Sequence, residues 1–157
     1  MKLTDNTSLK LSANFSLEEF VISQAAERFG YDNRPNEEAI QNLKSLCETI
    51  LQPLRGIILI PILINSGYRS FVVNAAVGGK FNSQHLEGKA ADFIVPNMNL
   101  YDVFNVVYRE LIYDQLIFEF GKWIHVSWNW EKNRKEALMS KRLYGRIVYE
   151  TISQELK

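Results

Sequence analysis

The chain predicts an α+β fold, and three observations carry the prediction. Apolar residues in the N-terminal third recur at helical steps. From residue 62 onward, short β-branched and aromatic runs mix with further helical segments. Consecutive strand candidates are joined by connections too short for the crossover helices of a doubly wound parallel sheet. A length of 157 residues suits one domain with a single core.

Residues 1–13 are polar, with an irregular start. Ser16-Leu-Glu-Glu19 fits a capping box, opening a helix that runs to about Arg28 and ends at Gly30. Asn33-Arg-Pro-Asn36 is a turn. Beyond it Ile40, Leu43, Cys47, Ile50, Leu51 and Leu54 mark the buried face of a long helix, which Pro53 should kink or rob of its regular hydrogen bonding. Ile62–Ser66 reads as a buried strand. Ser70 caps a short helix over Phe71–Val77, stopped by Gly78-Gly79. A strand over Ala91–Val95 and a helix from Asn99 to Leu111 follow, the helix turning Leu100, Val103, Phe104, Val107 and Leu111 inward. Strands over Gln115–Phe120 and Ile124–Trp128 come next. In the tail, Ala137-Leu-Met and Arg146–Ile152 favour strands around Gly145 because of their β-branched residues.

Composition narrows the function classes. Eighteen basic and eighteen acidic residues balance, which gives no electrostatic reason to expect nucleic acid or an anionic membrane as partner. The single cysteine, Cys47, excludes an internal disulfide and a cysteine-based zinc site, and its place on an apolar helical face makes it a structural thiol. The first residues lack the apolar core of a signal peptide, and no apolar run approaches the ~20 residues of a membrane span. The expectation is a soluble monomer without its own export signal.

The chemistry concentrates in Ser83-Gln-His-Leu-Glu-Gly-Lys-Ala-Ala-Asp92 and Trp123-Ile-His-Val-Ser127, which hold both histidines of the chain. Two imidazoles and a carboxylate are a common zinc set, three protein ligands with the fourth position left for water. His85 and Asp92 can face one ion only if the chain doubles back between them, and Gly88 is the natural turn. Strand alternation puts Ala90, Asp92 and Ile94 on one face, and Trp123, His125 and Ser127 on one face of the later strand. From the residues alone, a turn histidine at 85 and a satisfied buried histidine at 125 remain equally open.

Ser-x-His-x-x-Gly-x-Ala-x-Asp, preceded by Ser66-Gly-Tyr-Arg-Ser70 and followed by Trp-Ile-His-Val-Ser, resembles the zinc D-alanyl-D-alanine carboxypeptidase and L-alanyl-D-glutamate endopeptidase family, of the lysostaphin, D-Ala-D-Ala peptidase and hedgehog fold group. The similarity runs from about Phe15 to Asn133, takes in Pro53-Leu-Arg and Asn74-x-x-Val-Gly-Gly, and is nearest to small phage-type peptidoglycan peptidases. It leaves 134–157 as a C-terminal extension. The resemblance implies a small, mainly antiparallel sheet packed on helices, with Zn2+ on the open face held by His85, Asp92 and His125.

It further implies a glutamate that takes a proton from the attacking water. Many members carry it three residues before the last histidine, where this chain has Lys122. Glu119, six residues before, matches the spacing of the hedgehog-like and phage-type branches. Glu119 must then share a face with His125. A two-residue loop at Gly121-Lys122 would turn it away, so an odd connection is expected, such as Gly121-Lys-Trp123 with Glu119 opposite His125. Arg69 resembles the family arginine that binds substrate and stabilises the oxyanion; a structural ion pair is the alternative. Ser83 and Gln84 resemble polar substrate-facing groups, and Tyr68, Trp123 and Trp128 could wall a groove. Glu87 and Lys89 read as solvated turn residues. The implied activity is hydrolysis of peptidoglycan stem peptides by an endolysin-like or D,D-/L,D-peptidase. The implied setting is the cytoplasm until holin-assisted release, or a phage particle. The alternative is a non-catalytic zinc module such as a virion component.

Overall fold

The computed structural model describes residues 9–153, so the expectations for the first eight and last four residues lie outside the described chain. The elements are β1 (Lys10–Ser12), β2 (Phe15–Ser16), α1 (Leu17–Val21), α2 (Gln24–Phe29), α3 (Glu37–Leu46), α4 (Gln52–Ile58), β3 (Leu63–Ser66), α5 (Phe71–Ala76), β4 (Ala90–Ile94), α6 (Leu100–Glu110), β5 (Gln115–Glu119), β6 (Trp123–Ser127), β7 (Glu136–Leu143) and β8 (Arg146–Thr151). The fold is α+β.

The N-terminal part departs from expectation in two places. Residues 10–16 form a two-stranded ribbon that buries Leu11 and Phe15, where only an irregular lead-in was expected. The helix expected to run to Arg28 is two helices. Ser23 leaves helical geometry, and its hydroxyl accepts the Ala26 N–H at 3.2 Å, capping α2. Gly30 then closes α2 in the left-handed conformation, as expected.

The regular α-helical hydrogen bonding does stop ahead of Pro53, as expected, but the rod continues through it. A π-helical turn, Cys47–Leu51, joins α3 to α4, and the Gln52 N–H reaches back to the Cys47 carbonyl. The wider turn absorbs the proline, whose ring would otherwise meet the carbonyl one turn earlier. Leu43, Leu46, Cys47, Ile50, Leu51 and Leu54 are buried along one side of this rod. Burial pushes the Cys47 thiol pKa up, with Glu19 and Glu48 adding to the effect, which keeps it unreactive.

The main sheet has the order β3-β4-β6-β5-β7-β8. One face carries Ala91, Phe93, Leu116, Ile124, Val126 and Ala137 into the core, against the rod and against Val103, Phe104 and Val107 of α6. Fully burying side chains such as Phe93 and Ile124 contributes about 1.5–3 kcal/mol each. The strand over Ile62–Ser66 was expected to be buried, yet β3 is an edge strand and its Leu63 is 49% exposed. The apolar run before it is divided between the end of α4, a left-handed Leu59 and β3, and within Leu59–Ser66 only Ile62 is fully buried.

The tail is a β-hairpin turning at Tyr144-Gly145, as its β-branched residues suggested. Within an otherwise antiparallel sheet, β7 pairs with β5 in parallel, because the β6–β7 connection passes over to the far side of β5. Asp114 holds that connection down. Its carboxylate accepts from the Arg134 backbone N–H at 2.8 Å, from Arg134 Nε at 3.1 Å and Nη2 at 2.9 Å, and from Gln84 Nε2 at 2.9 Å. Burial alone would raise this carboxyl, but the bonds from Arg134 and then Gln84 outweigh it and hold the pKa below its ordinary value.

Asp114→Asn turns two of these donors against an amide that cannot accept them all. A loss of about 1–3 kcal/mol at pH 7 is expected in urea melts. The sign with pH follows from the depressed folded pKa. The wild-type contribution is complete above about pH 4 and disappears as pH falls through the folded value, so the gap between wild type and variant should narrow at pH 3.

Candidate metal centre

The first metal-site loop is built by local hydrogen bonds. The Ser83 hydroxyl accepts the His85 N–H at 3.3 Å, starting a single 3₁₀ turn over Gln84–Glu87. Gly88 ends it at φ 71°, and the Lys89 N–H returns to the Gln84 carbonyl at 3.0 Å. Glycine is required at 88 on two counts. The left-handed backbone disfavours any side chain, and a Cβ there would lie 2.5 Å from the Ala39 carbonyl oxygen of α3. Asn42, also on α3, clamps the turn by donating to the Glu87 carbonyl at 2.8 Å.

This turn drives His85 inward, to 3% exposure, so the surface-turn alternative is excluded. Its Nδ1 lies 2.7 Å from the Gly67 carbonyl oxygen. A carbonyl can only accept, so Nδ1 carries the hydrogen and Nε2 keeps a lone pair. Glycine is required at 67 because a Cβ would stand 2.7 Å from the Phe20 backbone.

β4 and β6 pair with Asp92 opposite His125, which places both on the open face as strand alternation predicted. Asp92 Oδ1 lies 2.8 Å from His125 Nδ1 and 3.3 Å from His85 Nε2. His85 Nε2 and Asp92 Oδ1 are both acceptors, and two acceptors so close repel unless a cation lies between them. A second proton on His85 is opposed, because burial first, and then the charges of His125 and Arg69, act against it and its pKa is net lowered. Burial would raise the Asp92 carboxyl, but the two histidines together outweigh it and hold it far below the carboxylate range. The donor atoms of His85, Asp92 and His125 lie within 4.8 Å of one another. Tetrahedral zinc ligands at about 2.0–2.2 Å stand roughly 3.3–3.5 Å apart, so these residues fit a zinc ion.

Arg69 stands against this group. Its Nη2 lies 3.3 Å from Asp92 Oδ2, Nε donates to Ser66 Oγ at 3.0 Å, and Nη1 is 3.5 Å from Asn74 Oδ1. The ion pair weighed as an alternative to an active role is therefore made, and its partner is the metal-site carboxylate itself. Burial lowers the Arg69 pKa more than Asp92 raises it, though a guanidinium stays charged at any working pH.

Glu119 shares the open face with His125. The connection is odd, three residues, but one step earlier than expected. It is Phe120–Lys122, with Glu119 opposite Trp123 and Ile117 opposite His125. Glu119 is thus a diagonal neighbour of His125 rather than its direct partner, at the ~7–8 Å spacing that long side chains bridge. The shift arises because Phe120 and Gly121 both take positive φ, 54° and 68°, and the Lys122 N–H closes the turn on the Glu119 carbonyl at 2.8 Å.

The remaining predicted residues have varied surroundings. Gln84 is engaged by Asp114, and Ser83 caps the His85 turn. Tyr68 is half-buried against the core, and Trp123 packs on Phe120 with ring centroids 5.7 Å apart. Trp128 packs on Trp130 at 4.8 Å, and Lys89 pairs with the exposed Glu87 at 3.2 Å. Sequence reasoning gave no role to three buried asparagines, of which Asn42 is described above. Asn33 donates to the Val21 and Tyr68 carbonyls and accepts the Ser70 N–H, while Asn74 holds the Lys80 carbonyl at 2.9 Å beside Arg69. Asn74 had a signal, since it opens the Asn74-x-x-Val-Gly-Gly segment.

An imidazole–carboxylate–imidazole set on the open face of a small α+β sheet, with an arginine against it, suits metal-assisted hydrolysis; the class so defined is the metal-dependent hydrolases. The family model described as Peptidase M15 matches residues 13–127, most of the chain. The protein belongs to that family, whose members are zinc-dependent metallopeptidases. Comparison with curated proteins gives no match. Among the described residues, no helix is long and apolar enough to cross a membrane.

Zinc added to metal-free protein is expected to bind once and raise the melting temperature, by about 2.7 kcal/mol of stabilisation at a hundredfold excess over Kd. His125→Ala and Asp92→Ala should abolish the shift in scanning calorimetry. Gly88→Ala should weaken zinc binding without touching a ligand, because the turn that aims His85 cannot form unstrained.

Proposed function

We propose that the protein is a zinc peptidase that hydrolyses amide bonds in peptidoglycan stem peptides, at a bond involving a D-amino acid or the L-Ala–D-Glu link. The observation that carries the reading is the placement of Glu119 on the His125 face, one diagonal step away, with Arg69 beside Asp92. Membership of the family supports hydrolysis, and the Ser83–Asp92 motif supports the wall peptide as substrate.

His85 Nε2, Asp92 Oδ1 and His125 Nδ1 would hold the ion. When bound, zinc supplies Lewis acidity that polarises the scissile carbonyl and brings a water's pKa from 15.7 to about 7. Glu119 takes one proton from the attacking water as the oxygen bonds to the carbonyl carbon. It delivers that proton to the amine nitrogen as the C–N bond breaks, and the water's second proton then passes from the new carboxylic acid to the amine, leaving a carboxylate and an ammonium group. Three of the five Arg69 N–H groups are directed at Ser66, Asp92 and Asn74. The other two can donate to the oxygen that gains charge. Ser83, Gln84, Tyr68 and Trp123 would border the bound peptide. In this reading the protein acts on the wall as a monomer, either released by a holin or carried in a phage particle.

Zinc-loaded protein incubated with bacterial sacculi should release new amines, and mass spectrometry of the products should identify the bond. Chelation should stop release and zinc should restore it. Glu119→Gln should cut the rate by about 10²–10⁴-fold while zinc stays bound. No release by folded, zinc-loaded protein, or full activity in the Gln variant, would overturn the reading.

A further inference from the structure

The matched family region ends at Ser127, yet the sheet continues through β7 and β8. β7 lies in parallel register along β5, with Ser140 opposite Glu119, and β8 places Tyr149 opposite Ser140. Residues paired this way point to the same face, so Trp123, Glu119, Ser140 and Tyr149 form one row across four strands of the open face. Ser140 is 2% exposed, unusual for a serine near a sheet's outer strand.

Its hydroxyl has two partners, and both matter. Ser140 Oγ accepts the Phe120 N–H at 3.1 Å and donates to Glu119 Oε2 at 2.6 Å. A hydroxyl has one hydrogen to give. A carboxylate can only accept, so that hydrogen is directed at Glu119 while a lone pair of the hydroxyl takes the Phe120 N–H. The 2.6 Å distance is that of a charge-assisted bond to an ionised acceptor. One oxygen of Glu119 is thereby fixed, and among the described residues Oε1 is left without a hydrogen bond. The same hydroxyl anchors Phe120, whose left-handed backbone costs about 1–2 kcal/mol for a residue with a side chain. That turn is what sets Glu119 diagonal to His125 rather than elsewhere on the face.

We infer that Ser140, supplied by the C-terminal hairpin, is a positioning residue for the base Glu119. It holds one carboxylate oxygen and the turn behind it, so that the other oxygen faces the reacting centre. The inference rests on the proposed role of Glu119. It assigns the tail hairpin a part in the active site rather than that of an appendage.

The test is a double-mutant cycle on zinc-loaded protein acting on sacculi. Ser140→Ala should lower kcat by about 10²-fold, the loss expected from misplacing a catalytic group by about 1 Å. KM and zinc content should not change. In a Glu119→Gln background the same substitution should have no further effect, because the two act as a unit. An additive loss would overturn the inference while leaving the peptidase reading intact. Inactive wild type would remove both. Should Ser140→Ala fold poorly, Ser140→Thr and Ser140→Val decide, since they match in shape and differ only in the hydroxyl. Thr should retain activity and Val lose it; equal kcat in the two would overturn the inference.

Discussion

A carboxylate placed in the middle of a β-sheet must be compensated, or the cost is several kcal/mol of lost hydration. Asp92 sits on β4 with a neighbour strand on each side, nearly out of reach of water. Its compensation comes from His125 across β6 and Arg69 after β3. Each partner is delivered by a different element, so the open face must be assembled before the charge is fully satisfied. The remaining mismatch, an acceptor facing an acceptor between His85 and Asp92, is what a metal ion resolves.

The supporting groups follow from that requirement. His85 is useful only with its Nε2 lone pair exposed, and the Gly67 carbonyl enforces this by taking the Nδ1 hydrogen. The carbonyl is in place because glycine lets β3's end lie against Phe20 of α1. Gly88, pressed on Ala39 of α3, brings the chain back toward Asp92. Two glycines thus link the metal group to the helical layer. Asp114 adds a third link by joining the His85 turn to the β6–β7 connection through Gln84 and Arg134. The C-terminal hairpin is therefore tied to the site at both Asp114 and Ser140.

Much of this was legible in the residues. Ser83–Asp92 and Trp123–Ser127 carry their geometry locally, because strand alternation and a glycine turn need no partner to be read. The odd connection between the two strands was legible too, since the resemblance put Glu119 on the His125 face and parity then required it. Its exact register was not. Phe120 has no intrinsic preference for a left-handed backbone, and its anchor, Ser140, lies twenty residues further on. The same limit hid the split between α1 and α2, the π-helical turn before Pro53 and the edge position of β3. Each is a choice among locally similar backbones decided by packing at a distance.

The sequence by itself singled out the residues that could bind a metal, and the resemblance implied that they would meet on the open face of an α+β sheet. Imidazole and carboxylate chemistry, the glycine at 88 and two-residue alternation are local properties. Only the tertiary structure decided the protonation of His85, the use of Arg69 against Asp92 and the hold of Ser140 on Glu119. Those depend on hydrogen bonds between groups far apart in the chain, whose donors and acceptors are paired only when the sheet closes.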